Sequence, residues 1–288
     1  MMNTDTRSDA AEFKDKMRAQ WDGAAAGWDR HGPAIRDWLR VPTDSMLDMA
    51  GILPGQTVLD VAAGAGDQTL DIAERVGVAG RVTATDISGG ILALARANAV
   101  RAGHDNVSIH AADAEDLGLG DSMFDAAVCR LGLMFLPDPL AGLREICRVL
   151  KPGGRFCSMV FAGPDLNPCL RILMSTAMRH AGMTPRDPFV PGGLVSLGKP
   201  GLVEGLFQRA GFRNTVTTRM EAPFRLATMA EYLTFVRASA GPILQILAPL
   251  GEAAQQAAWV DIAAQLEVYQ TTEGWIGPNT LLLTRGQR

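Results

Sequence analysis

The run Val58-Leu59-Asp60-Val61-Ala62-Ala63-Gly64-Ala65-Gly66-Asp67 brings an acid and two alternating glycines to the end of a short apolar stretch. Gly64 and Gly66 carry no Cβ, so backbone N–H groups there can close on a ligand, and the helix expected from Gln68 onward turns its positive end to the same spot. Roughly 20 residues later, Arg81-Val82-Thr83-Ala84-Thr85-Asp86 reads as a second strand ending in an acid, the spacing of a carboxylate that holds a ribose diol. Bare amides beside such a carboxylate are chemistry for gripping a nucleoside.

The glycine pattern bears on which nucleoside. A dinucleotide fingerprint read from Gly64 requires glycine at position 69, which is Thr69, so close helix packing under a pyrophosphate is not provided for. The stretch resembles instead motif I of class I S-adenosylmethionine-dependent methyltransferases, with its acid and alternating small residues at Asp60, Ala62, Gly64 and Gly66; Ala62 departs from the strict glycine form. The resemblance runs from about Val58 to Phe161, through Asp86, Ala112-Asp113-Ala114-Glu115-Asp116 and Phe124-Asp125-Ala126-Ala127-Val128-Cys129-Arg130. Its closing stretch, Leu143-Arg144-Glu145-Ile146-Cys147-Arg148-Val149-Leu150-Lys151-Pro152-Gly153-Gly154-Arg155-Phe156, is similar to the helix, turn and fifth strand of the ubiquinone/menaquinone-biosynthesis type. In physical terms a helix ends there, Pro152 prevents its continuation, and Gly153 and Gly154 turn the chain into a strand.

What the resemblance implies is S-adenosylmethionine as cofactor and a set of residues around it. Asp60, Ala62, Gly64 and Gly66 would line its methionine end, Asp86 would accept the ribose hydroxyls, Ile87 would pack on adenine, and Asp113 and Ala114 would meet the adenine amino edge. Arg130 and Leu131 would contribute to the amino-acid moiety or the methyl channel. Each has a plainer reading: Asp60 caps the following turn, Asp113 caps Glu115 onward, Ile87 and Leu131 are core, and Arg130 makes a salt bridge or orients an acidic substrate. In similar enzymes the segment Trp21 to His31 lies across the cofactor, so Trp28 is a candidate contact there. His31 is the one histidine with a candidate role as general base, because its unperturbed pKa suits deprotonation near neutrality. No metal-ligand spacing is present.

These residues need a scaffold that brings strand ends together. Helical signals cover Glu12 to Trp28 and Ile35 to Ala50, broken at Gly32-Pro33, and strands and helices then alternate from Thr57 to Val160. The alternation predicts an α/β fold, a doubly wound, mostly parallel seven-stranded sheet of the Rossmann-like methyltransferase kind. The expected organisation is an N-terminal helical cap (1–50), a cofactor-binding core (51–162), a cap helix, loop and sixth strand (163–225), a helical insertion (226–274) and a last strand (275–288). Within the insertion helices are expected over Met229 to Leu247 and Glu252 to Thr271. The caps fold over the sheet edge where ligands of open α/β sheets bind, so substrate choice belongs to them. Met159, Met174, Met178, Met183, Met220 and Met229 suit either an adaptable apolar pocket or core filling.

Composition narrows the partners. With 27 basic and 31 acidic residues the net charge is −4, which argues against a nucleic-acid partner. No apolar run reaches the roughly 18 residues of a membrane span, and Met1 to Asp9 lacks the apolar core of a signal peptide, so a cytoplasmic setting is expected. Cys129, Cys147, Cys157 and Cys169 form no C-x-x-C pair and read as reduced thiols. The expected function is methyl transfer to oxygen, nitrogen or carbon of a small lipophilic or aromatic molecule, with a homodimer allowed. The competing readings are an NAD(P)-dependent oxidoreductase and a non-catalytic S-adenosylmethionine-binding protein.

Overall fold

The computed structural model describes residues 5–185 and 187–288; residues 1–4 of the N-terminal segment and Arg186 of the Thr184 to Gly198 loop lie outside the described residues. Two helices open the chain, α1 (Asp5–Arg30) and α2 (Gly32–Ala50), parted at His31, with Pro33 in the first turn of α2 where its missing N–H costs no bond. Strands and helices then alternate: β1 (Thr57–Val61), α3 (Asp67–Val76), β2 (Arg81–Asp86), α4 (Gly89–Arg101), β3 (Val107–Ala111), β4 (Phe124–Arg130), α5 (Pro139–Val149) and β5 (Leu150–Phe161). Ser88 starts α4 by accepting the Ile91 amide at 3.0 Å, and Asp138 starts α5 by accepting those of Leu140 and Ala141.

After β5 come α6 (Pro168–His180), α7 (Leu202–Arg209), β6 (Arg213–Glu221), β7 (Phe224–Leu226), α8 (Met229–Ser239), α9 (Gly241–Leu247), α10 (Glu252–Leu266), β8 (Gln270–Thr271), β9 (Gly274–Gly277) and β10 (Thr280–Gln287). Seven strands form one sheet in the order β3-β2-β1-β4-β5-β10-β6. The first five are mutually parallel, and β10 runs antiparallel to both neighbours. Central strands read as near-continuous apolar runs because helices cover both faces, and β1 and β4 are buried accordingly. Strand order reverses between β1 and β4, which opens a crevice beyond their carboxyl ends.

Three local expectations are corrected. The second helix of the insertion stops at Leu266, not Thr271, because the following residues pair as β8 with β9 in a three-stranded sheet with β7. That sheet holds Trp275 fully buried, its indole N–H donated to the Leu266 carbonyl at 2.9 Å. The helix over Met229 to Leu247 is two, parted at Ala240, where Pro242 falls in the first turn of α9. Finally, Leu150 to Gly154 lies inside β5: Leu150 pairs with Phe124 and Arg155 with Ala126, so the residues between form a bulge. The chain's last residue stitches it, Arg288 exchanging backbone bonds with Gly153 and Gly154.

One core packs around the sheet, and a second packs α6, α8, α9 and α10 through Leu173, Tyr232, Val236, Ile243, Ile262 and Trp275. The four cysteines are free thiols, three of them buried. Among the described residues no helix is long and apolar enough to cross a membrane, and no group of side chains has the makings of a metal site.

Candidate functional site

Beyond the carboxyl ends of β1, β2 and β4 lies a cavity partly open to solvent. Its core wall comes from strand ends and the turns after them, including Ala62, Gly64, Asp86, Asp113, Arg130 and Leu131. Helix α1 lies over it with Phe13, Lys14, Met17, Trp21 and Trp28, and the far wall is the cap, from Leu170 and Leu173 through Phe224, Tyr232, Val236 and Ile243 to Asn279.

The turn after β1 is built on left-handed backbone. Ala62 (φ 55°), Gly64 (φ 58°) and Gly66 (φ 91°) all take positive φ, as does Leu131 (φ 56°) after the neighbouring β4. Such a conformation costs a side-chain-bearing residue, and two of them facing one cavity mark a backbone held for a purpose. A Cβ on Gly132 would stand 2.4 Å from that of Ala62, so the Ala62 methyl lies directly against the backbone of Gly132. Gly66 serves packing: a Cβ there would meet the Cα of Ala95 on α4 at 3.0 Å.

Asp60 does not reach the cavity. It is fully buried and accepts hydrogen bonds from Gln68 Nε2 at 3.0 Å and Thr69 Oγ1 at 2.6 Å, which fastens β1 to the first turn of α3. Burial pushes its carboxyl up to about 6, against the pull of those two donors. Thr69, which occupies the third glycine position of a dinucleotide loop, is thus part of the fastening. Gly66 likewise is not among the residues that line the cavity.

Asp86 lies on the cavity wall. Its carboxylate accepts the amides of Gly64 at 3.1 Å and Ser88 at 3.0 Å, one per oxygen, leaving each oxygen further acceptor capacity toward the cavity. Burial pushes the carboxyl up and these amides pull it back. Asp113 accepts the Glu115 amide at 2.9 Å and pairs with Lys14 at 2.6 Å; Lys14 also reaches Glu115 at 2.6 Å. Asp22 is bonded by the Ser88 hydroxyl and the Gly90 amide, and Asp29 by Asn98. Three acids or bases on α1 therefore tie that helix to the loops around the strand ends. Lys14 and Asp22 escaped the sequence reading because single charges on an amphipathic helix resemble a solvated face, while Tyr232, Phe224 and Asn279 lie far along the chain from any motif.

Arg130 is a buried guanidinium, donating to Thr43 Oγ1 at 3.1 Å with the Asp67 carboxylate 3.7 Å away. Burial lowers its pKa while Asp67, Asp60 and Asp71 support the charge. Trp28 faces the cavity, and its indole nitrogen is buried without a partner among the described residues. His31 is not brought there: it lies in a separate groove with Ala34 and Glu231, its ring edge-on to Phe235 at 5.6 Å, and Phe235 stands between the two spaces by lining both. None of the six methionines noted after the fourth strand lines the cavity, whereas Met17 and Met134 do. Met159 is core, and Met174 and Met229 pack against the cap's own core.

Residues 37–176 match the ubiE/COQ5 methyltransferase family. The ubiquinone/menaquinone biosynthesis C-methyltransferase UbiE of Klebsiella pneumoniae is 39% identical over 123 residues, 42% of this chain and 49% of that protein, so the likeness spans about half of each. Among solved structures, a putative methyltransferase from Bacillus halodurans superposes with a TM-score of 0.58 at 19% identity, covering 85% of this chain and 97% of that one. The [4+2]-cyclase SpnF superposes with a TM-score of 0.55 at 20% identity over 92% of this chain and 96% of its own. At these identities the superpositions speak for the fold alone.

Proposed function

We propose that this chain, whose core is that of a class I S-adenosylmethionine-dependent methyltransferase, transfers the methyl group to an oxygen, nitrogen or carbon atom of a small, uncharged, lipophilic or aromatic molecule. The observation that carries the proposal is the division of charge across one cavity. The charged lining residues, Lys14, Asp67, Asp86, Asp113 and Arg130, all belong to α1 or the core, while every lining residue of the cap is uncharged.

The residues of the core half fit the cofactor. The Gly64 site is open on the side where a Cβ would point, the nearest atom being Ile91 Cδ1 at 3.9 Å; Asp86 keeps acceptor capacity for a diol; and the Trp28 indole N–H lacks a partner among the described residues. Asp86 would hold the ribose, Asp113 and Ala114 the adenine edge beside Ile87, and Ala62, Gly64, Arg130 and Leu131 the amino-acid end. Bound there, S-adenosylmethionine supplies an electrophilic methyl group on a sulfonium. The protein's part is to orient the acceptor in line and to exclude water, which suits a reaction that disperses charge. With His31 outside the cavity, no histidine of the chain lines it, and this reading assigns the chain no imidazole base. A small-molecule acceptor in place of nucleic acid accords with the net charge of −4.

Calorimetric titration with S-adenosylmethionine tests the cofactor half, and transfer of labelled methyl into extracted metabolites tests the reaction. Asp86→Ala removes at least one charged hydrogen bond worth roughly 1.5–3 kcal/mol, so affinity is expected to fall by at least about 10-fold. Unchanged affinity sinks the assignment. SpnF, a cyclase by name, stands on this same fold, so cofactor binding without methyl transfer would favour a non-methylating role.

A further inference from the structure

The cap's inner wall is apolar with few exceptions, and two of those have internal work: Ser239 donates its hydroxyl to the Phe235 carbonyl at 2.6 Å, and Asn279 donates to the Gly277 carbonyl at 3.2 Å. Tyr232 differs. It lines the cavity at 2% exposure, and its hydroxyl makes no hydrogen bond to a described residue. Buried phenols ordinarily find a partner, since an unmade bond costs free energy.

The ring is held rigidly. It stacks on Trp275 with centroids 4.5 Å apart and meets Phe224 edge-on at 5.5 Å, while Trp275 is itself pinned by its bond to Leu266. A hydroxyl on so fixed a ring points in one direction at little entropic cost. Burial pushes the phenol above its ordinary value, so it keeps its proton and serves as a donor, not as a base.

We propose that Tyr232 is the positioning residue of the acceptor chamber, donating its O–H to an oxygen atom of an uncharged ring-bearing acceptor and so fixing which edge of that molecule meets the core half. The acceptor's being methylated rests on the function proposed above; its being anchored at Tyr232 does not.

The test uses two rings of one shape, 2-naphthol and naphthalene, measured by equilibrium dialysis against the full chain saturated with S-adenosylhomocysteine, and against the chain alone. A neutral hydrogen bond in a dry site corresponds to roughly 2- to 12-fold in affinity, so the wild-type chain is expected to prefer 2-naphthol by that factor. Tyr232→Phe is expected to bring 2-naphthol down to the level of naphthalene, with affinity for naphthalene and S-adenosylhomocysteine unchanged, which also reports that the variant is folded. A preference that survives Tyr232→Phe overturns the proposal, as does a wild-type chain that binds the two rings equally or binds neither. Loss of S-adenosylhomocysteine binding with the naphthol preference intact would instead count against the methyltransferase reading and leave the anchor standing.

Discussion

At Ala62 the chain holds a methyl-bearing residue at φ 55°, a conformation that costs an L-residue roughly 1–2 kcal/mol. Ala62→Gly removes that cost while adding about 0.4–1 kcal/mol of unfolded-chain entropy. The variant is therefore expected to be more stable by about 0.5–1 kcal/mol, read as a higher denaturation midpoint; a lower one would mean that the Ala62 methyl earns more by packing near Gly132 than its backbone loses. Asp60 gives a pH signature. Its carboxyl is raised to about 6 from 3.8, so the folded state binds the proton more tightly than the unfolded chain, and its contribution falls as pH rises from 4 through 6. The shift corresponds to something on the order of 2–3 kcal/mol. In stability curves across that window, Asp60→Asn is expected to flatten the fall relative to the parent; parallel curves would contradict the burial argument. Asp60 and Asp86 look equivalent in the sequence, both acids at strand ends. One is fully buried behind Gln68 and Thr69 and the other lines the cavity, a distinction that depends on side chains arriving from the following helix.

Among the elements, α1 is the one whose role a linear reading understates. Its ring-bearing stretch announces an amphipathic helix, but the ties that hold it, Lys14 to Asp113 and Glu115 and Asp22 to Ser88, join positions far apart in the chain. Asp113 both faces the cavity and holds Lys14. Lys14→Ala is expected to loosen α1 by roughly 0.5–1 kcal/mol, the range of partly exposed pairs. Amide exchange should quicken several-fold over residues 11–22 and stay unchanged in β1 and β4; uniform exchange would show that apolar packing alone seats the helix. The alternation of strands and helices up to β5 was legible because each element carries its own period and its own stop. The end of α10 was not, since no Gly or Pro stands between Leu266 and Thr271 to stop the helical pattern, and it ends where Trp275 is drawn into the cap core and the chain before it pairs as β8.

For the molecule as a whole, one cavity shared by core, α1 and cap makes ligand binding and stability a single equilibrium. S-adenosylhomocysteine at about 100 times its Kd should add about 2.7 kcal/mol, which for a chain of this size is roughly 5–10 °C in Tm. Asp86→Ala should abolish about half or more of that rise at the same ligand concentration; an undiminished rise would place the ligand elsewhere. The sequence alone determined the parallel core, its order of elements and the glycine turn with its acids, because hydrophobic period, turn residues and strand-end acids are local properties that survive in any context. Only the tertiary structure decided which acid faces the cavity, that His31 stands outside behind Phe235, and that Tyr232 and Asn279 line one space. Those are matters of which distant surfaces pack together, and packing is settled by shape and burial over the whole chain.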